Sequence, residues 1–93
     1  MKKYEATFIL RTEEDKLAQA KEFIKSVLES KSAVISREED QGERTLAYEI
    51  KKQPKGRYFY YEMDFDPLKL SETEKEIRMN NNVLKFLFVK ADE

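Results

Sequence analysis

Hydrophobic and polar positions alternate at the start of the chain, with Tyr4, Ala6, Phe8 and Leu10 on one side and Lys3, Glu5, Thr7 and Arg11 on the other. This two-residue period predicts a first strand with one buried face. The period then changes. Leu17, Ala20, Ile24, Val27 and Leu28 recur at helical spacing, and Phe23 widens the stripe. Thr12 offers an N-cap hydroxyl with Asp15 three positions on, while Glu13 and Glu14 occupy the positive end of the helix dipole. The pattern predicts a helix of about five turns ending near Ser30 to Ser32.

Ala33 to Ile35 open a second strand, which passes through the charged run Arg37-Glu38-Glu39-Asp40 and turns or bulges at Gln41-Gly42. It resumes with Leu46, Tyr48 and Ile50 on one face, long enough to form an arm projecting past the sheet. Pro54-Lys55-Gly56 reads as the hairpin turn, and a third strand runs from Arg57 to about Phe65. Parity divides that strand. Phe59, Tyr61, Met63 and Phe65 share the face expected in the core; Tyr58, Tyr60, Glu62 and Asp64 share the more polar face, expected towards solvent.

Asp66-Pro67 reads as an N-cap followed by proline at the first helical position, and Leu70, Ile77 and Met79 give a second helix a thin apolar stripe. Asn80-Asn81-Asn82 ends it, and Val83 to Val89 form a last strand. The order strand, helix, strand, strand, helix, strand predicts an α+β fold over one domain, residues 1–93. That fold is a ferredoxin-like four-stranded antiparallel sheet with both helices on one face and the other face open.

Composition narrows the function. The 93 residues suit one two-layer core better than a core plus a deep cleft. The sequence has no cysteine and no histidine, which removes disulfides, thiolate nucleophiles, the commonest zinc ligands and the usual hydrolytic triads. No run approaches the roughly 20 apolar residues of a membrane span. The opening MKKYEATFIL is too short and too broken by charge for a secretion signal, so a soluble cytoplasmic protein is expected. With 18 Lys plus Arg against 19 Asp plus Glu, the net charge is -1, and any nucleic-acid site must be a local basic patch.

The richest segment is Arg44 to Tyr61, RTLAYEIKKQPKGRYFYY, where an alternating strand, a basic turn and an aromatic strand adjoin. It points to binding, not catalysis. Lys2 and Lys3, Lys51, Lys52 and Lys55 around the hairpin, and Arg78, Lys85 and Lys90 near the last strand are candidates to neutralise phosphates. Each is weighed against an ordinary solvated charge. Tyr58 and Tyr60 are outward-facing aromatics, able to stack on RNA or to pack against a protein with their hydroxyls wet. Phe59 and Tyr61, by parity, belong to the core. Glu38, Glu39, Asp40 and Glu43 fit no calcium-loop spacing and read as a solvated arm that blocks edge pairing, or as an acidic surface for a basic partner oriented by Arg44. No metal or other cofactor is expected. The loop after the first strand, Arg11 to Asp15, lacks glycine and is acidic, which rules against phosphate capture as in acylphosphatases.

The chain resembles the bacterial small-subunit ribosomal protein number six family nearly throughout. The likeness rests on Met1-Lys2-Lys3-Tyr4-Glu5 and on Arg44-Thr45-Leu46-Ala47-Tyr48-Glu49-Ile50, set against a family pattern LAYPI. It extends to Lys52 followed by Gly56 and the aromatic strand, and to Asn82-Val83-Leu84-Lys85-Phe86. Glu49 stands where the family usually has proline, and Thr73 where an apolar residue is usual. The resemblance implies a non-enzymatic component of the ribosome in the cytoplasm, without a small-molecule substrate or a membrane. It would pair with ribosomal protein number eighteen on the central domain of small-subunit ribosomal RNA. It favours Lys2, Lys3, Lys52, Lys85 and Lys90 among the RNA candidates, and makes protein contact the expected use of Arg44, Tyr48, Tyr58 and Tyr60. The competing reading is an independent single-stranded RNA binder using Tyr58 and Tyr60.

Overall fold

The computed structural model describes residues 1–91. Strand β1 (Lys2–Leu10) is followed by helix α1 (Glu14–Ser30) and strands β2 (Val34–Ile50) and β3 (Gln53–Phe65). A 3-10 turn (Pro67–Lys69), helix α2 (Leu70–Arg78) and strand β4 (Val83–Lys90) complete the order. The sheet runs β2-β3-β1-β4, every pair antiparallel. This is the ferredoxin-like arrangement read from the sequence, with β2 and β4 at the edges.

The core lies between the sheet and the helices, and the strand parities place it there. Tyr4, Ala6, Phe8 and Leu10 of β1 meet Phe59, Tyr61, Met63 and Phe65 of β3, all buried, with no register shift between the two strands. Phe8 stands edge-to-face with Tyr61 and Phe88, at centroid separations of 5.5 and 5.8 Å. Such contacts stabilise beyond their area alone. Helix α1 covers this face with Ala20, Ile24, Val27 and Leu28, as its spacing predicts.

The helix ends differ in part from expectation. Thr12 does not cap α1. Glu13 takes the N-cap position with no side-chain cap bond, because its carboxylate is held by both Nε and Nη2 of Arg11. At the other end Ser32 adopts φ 60°, and the Ala33 and Ser32 amides donate to the Leu28 and Glu29 carbonyls, both at 3.0 Å. That Schellman closure satisfies the last turn. Asp66 caps the 3-10 turn before α2 through the Leu68 amide at 3.0 Å, with Pro67 at its start.

Helix α2 buries Ile77 and Thr73, with Leu70 partly covered; Met79, expected in the stripe, is 82% exposed. Thr73 is fully buried, and its hydroxyl donates to the Lys69 carbonyl one turn back at 2.7 Å. The polar atom is therefore paired within its own helix. Lys31, at the end of α1, bridges Glu72 and Glu76 of α2 at 3.4 and 2.7 Å and ties the two helices together.

The hairpin between β2 and β3 departs most from the sequence reading. Its turn is Lys51-Lys52, not Pro54-Lys55-Gly56. Both lysines have positive φ, 50° and 64°, and Ile50 pairs with Gln53 across them. A two-residue turn with both centres left-handed matches the twist of the strands it joins. Pro54 and Gly56 sit inside β3 instead. Thr45 faces Lys55 and Ile50 faces Gln53, so Leu46 to Glu49 lie opposite Pro54 alone as a wide bulge. Proline can stand there because it has no amide to offer the ladder.

Two further register shifts interrupt β2, between Ile35 and Arg37 and between Asp40 and Gly42, the latter at the expected bulge with Gly42 at φ 91°. The arm does not project clear of the sheet. It curls back so that Lys51 Nζ donates to the Val83 carbonyl at the start of β4, at 3.0 Å.

Candidate partner and nucleic-acid interface

The open face of the sheet carries the residues opposite in parity to the core. Register places Thr7 between Tyr60 and Leu87, Ile9 between Tyr58 and Lys85, and Glu5 between Glu62 and Val89. Leu87 and Val89 are 60% and 47% exposed, so this face presents apolar surface as well as charge. The two ends of the face differ in sign.

At the end formed by the start of β1, a hollow of about 230 Å³ is lined by Lys3, Glu5, Ser36, Tyr60, Glu62 and Asp64, among others. The Tyr60 hydroxyl stands 2.6 Å from Glu5 Oε1 and 2.9 Å from Glu62 Oε2. One phenolic proton serves two carboxylates that face each other across β1 and β3. The bond to Glu5, then desolvation, then Glu62 push the Tyr60 hydroxyl well above the ordinary tyrosine range. Arg37 reaches Glu62 at 3.3 Å and Glu39 at 2.8 Å and lies 5.9 Å from the Tyr60 ring centre, while Lys3 meets Asp64 at 3.7 Å. On the open face here Glu5, Glu39, Glu62 and Asp64 outnumber Lys3 and Arg37, so that face is acidic at this end, while Lys2 and Lys90, of the opposite parity, lie on the helix side.

At the opposite end, the Leu46–Glu49 bulge folds towards β1 and β4 and leaves a cup of about 150 Å³. Its walls are Ile9, Leu46, Ala47, Tyr48, Ile50, Tyr58 and Lys85. Lys85 is the one charged wall residue. Arg44 lies over the Tyr58 ring at 4.7 Å, and Tyr48 is 72% exposed. A neighbouring groove of about 310 Å³ along β4 is lined by Lys51, Arg78 and Lys85 with Glu74 and the strand itself. Arg78 rests 5.6 Å from the Phe86 ring centre.

The structure therefore separates the phosphate candidates into groups. Lys2, Lys3 and Lys90 gather where β1 begins and β4 ends, since Lys90 stands opposite Tyr4. Arg78 and Lys85 gather at the start of β4 together with Lys51. Lys52 is exposed in the turn, and Lys55 is exposed beside Glu43 at 3.9 Å. Of the partner candidates, Tyr60 belongs to the acidic end, whereas Arg44, Tyr48 and Tyr58 belong to the basic one. Tyr58 and Tyr60 are half-buried, each with an arginine near its ring, and neither forms a bare stacking platform.

The acidic run of β2 is distributed among separate ion pairs. Asp40 binds Arg57 through two bonds, Nε to Oδ1 at 3.0 Å and Nη2 to Oδ2 at 2.6 Å; Glu39 goes to Arg37 and Glu43 to Lys55. The Arg57 guanidinium holds the Asp40 carboxyl below its usual range. Glu38 faces the helix side beside Tyr61, whose hydroxyl is pushed up first by burial and then by Glu38.

Sequence reasoning missed the cup. Its signal is Ile9, an apolar residue on the otherwise polar side of the β1 alternation. A strand that spends an isoleucine on its open face has something to cover it, and here that cover is the bulge.

The same fold recurs in a known protein, and related sequences span the chain. The family model described as Ribosomal protein S6 matches residues 3–90. The small ribosomal subunit protein bS6 of Treponema pallidum (strain Nichols) is 36% identical over 92 residues, covering 99% of each chain. That of Treponema denticola is 36% identical over 93 residues, covering all of both. The crystal structure of 30S ribosomal protein S6 from Thermotoga maritima superposes with a TM-score of 0.85 at 27% identity, covering 97% of this chain and 87% of that one. A match of this extent in both sequence and fold leaves one assignment, and the chain belongs to the ribosomal protein S6 family.

Proposed function

We propose that this chain, a non-enzymatic structural component of the bacterial small ribosomal subunit, works by holding a basic protein partner and ribosomal RNA on opposite ends of its open sheet face. The partner is ribosomal protein number eighteen, and the RNA is the central domain of the small-subunit molecule. The observation that carries this reading is the division of charge across that face. Glu5, Glu62 and Asp64 line the hollow beside Tyr60 at one end, whereas Lys85 lines the cup at the other, with Arg44 over Tyr58 and Lys51 and Lys52 in the adjoining turn.

A basic protein gains from the first end and is repelled by the second, while a phosphate backbone has the opposite preference. Leu87 and Val89, exposed between them, supply apolar area for a protein contact. With a net charge of -1 the isolated chain attracts RNA weakly, so the partner's own charge is needed for firm docking. On this reading Lys2, Lys3 and Lys90 flank the partner and reach RNA beyond it. Lys52, Lys55, Arg78 and Lys85 meet RNA directly.

The geometry disfavours the independent single-stranded RNA binder. Tyr60 is surrounded by carboxylates that repel phosphate, and Tyr58 already carries the Arg44 guanidinium. Calorimetric titration against a central-domain RNA fragment, with and without ribosomal protein number eighteen and at two salt concentrations, tests the proposal. Binding that requires the partner and weakens with salt supports it. Tight binding of short single strands by the chain alone overturns it.

A further inference from the structure

We infer that the cup under the β2 bulge receives one unpaired RNA base, with Tyr48 closing over it and Lys85 meeting its phosphate. The inference rests on the RNA reading above and assigns that contact a place and a chemistry.

The cup has the composition such a site needs. Tyr48 and Tyr58 line the cup together with the aliphatic Ile9, Leu46 and Ile50, and among the described residues Tyr48 is the ring of the two that no arginine covers. The cup's volume is about 150 Å³. Base faces stack on aromatic side chains regardless of base identity, and an adjacent cation tracks the backbone. Among the described residues no carboxylate lines the cup; Glu49, within the bulge, is exposed and absent from its walls. The nearby charges are Lys85 on the wall, Arg44 over Tyr58, and Lys51 and Lys52 in the adjoining turn, against Glu49 in the bulge, a net positive setting. A basic protein side chain is therefore the wrong occupant, and an anionic polymer carrying flat apolar rings is the right one.

The backbone adds a second observation. Four residues, Leu46 to Glu49, stand opposite Pro54 alone, and the next two hold left-handed conformations that lysine does not favour. Tyr48, within that bulge, lines the cup while 72% exposed, so most of its ring surface is open to a base.

The test uses the full chain with ribosomal protein number eighteen bound, titrated against the central-domain RNA fragment at two salt concentrations. Wild type is compared with Tyr48→Phe, Tyr48→Ala and Lys85→Ala. Tyr48→Ala is expected to weaken RNA binding between about 5-fold and about 150-fold, the range spanned by stacking one base. Tyr48→Phe should retain it, and neither should change the salt slope. Lys85→Ala should reduce that slope by about one.

Affinity for the protein partner without RNA should be the same for all four. If Tyr48→Ala binds RNA as wild type does, or if its loss falls on the protein partner instead, the inference is overturned while the proposed function stands. If wild type with its partner fails to bind the RNA, both fall.

Discussion

Gly56 lies against the side chain of Ile9 so closely that a Cβ at position 56 would collide with the Ile9 Cγ2 methyl. The contact joins β3 to β1 beneath the cup, where Leu46 also approaches. Glycine is needed here for close packing in a buried strand position and not for a turn. Because Ile9 is β-branched, its methyl cannot swing aside freely.

Gly56→Ala is accordingly expected to destabilise the protein by about 1–3 kcal/mol through overpacking. Urea unfolding measures this. In an Ile9→Ala background the same substitution should cost clearly less, since the colliding methyl is gone and the two sites are coupled. Equal costs in both backgrounds would show that the collision is not the cause.

The turn lysines should trade stability against binding. Lys51 and Lys52 occupy left-handed backbone at φ 50° and 64°. Replacing Lys52 with glycine, which leaves the Lys51 bond to Val83 in place, is expected to raise stability by up to about 1 kcal/mol. The same variant should bind RNA more weakly and with a shallower salt dependence. Thermal unfolding and RNA titration of one preparation check both halves.

Asp40 and Arg57 predict a pH dependence. Their paired hydrogen bonds lower the Asp40 carboxyl in the folded state. A lowered carboxyl stabilises the fold above the ordinary aspartate range, and that contribution disappears as pH falls through the folded-state value. Asp40→Asn should therefore be less stable than wild type at neutral pH, with the gap closing in acid. Unfolding midpoints between about pH 7 and about pH 2 decide it; a constant gap would mean that the charge of Asp40 plays no part.

Tyr60 is expected to hold Glu5 and Glu62 together across the sheet. Tyr60→Phe removes the shared proton and leaves two like charges directly opposed, a destabilising cross-strand pair. Added salt should reduce the loss, because it screens that repulsion. Glu5→Gln in the Tyr60→Phe background should restore stability. In binding, Tyr60→Ala should weaken the protein partner more than about fivefold, as expected of a central interface tyrosine, without altering contacts at the basic end.

Thr73 tests the second helix. Its hydroxyl is paired with the Lys69 carbonyl at full burial, so exchanging it for valine should change stability by less than about 1 kcal/mol. Thr73→Asp, which places an uncompensated charge in the core, should cost more than about 3 kcal/mol. Circular dichroism during urea unfolding distinguishes the two.

The element order, the buried faces of β1 and β3 and the apolar stripe of α1 were legible along the chain before any tertiary contact is considered. Those features follow from local periodicity, and period two or period 3.6 commits each side chain to a face before any partner is present. Tyr58 and Tyr60 could be placed outward because β3 has no bulge from Arg57 to Phe65 in its pairing with β1. The acidic character of the Arg11 to Asp15 loop was equally legible. Tertiary structure alone decided the rest. Three register shifts in β2 depend on which residues of β3 the strand meets, and each changes which way the following side chains face. The turn moved to Lys51-Lys52 because strand pairing outweighed the local preference of Pro54 and Gly56 for turns. The cup and the charge division arise only when that curled hairpin meets Ile9 and Lys85, residues tens of positions away along the chain. Contacts at such separation leave no periodic trace, and Ile9 alone, apolar on the otherwise polar side of β1, hinted at them.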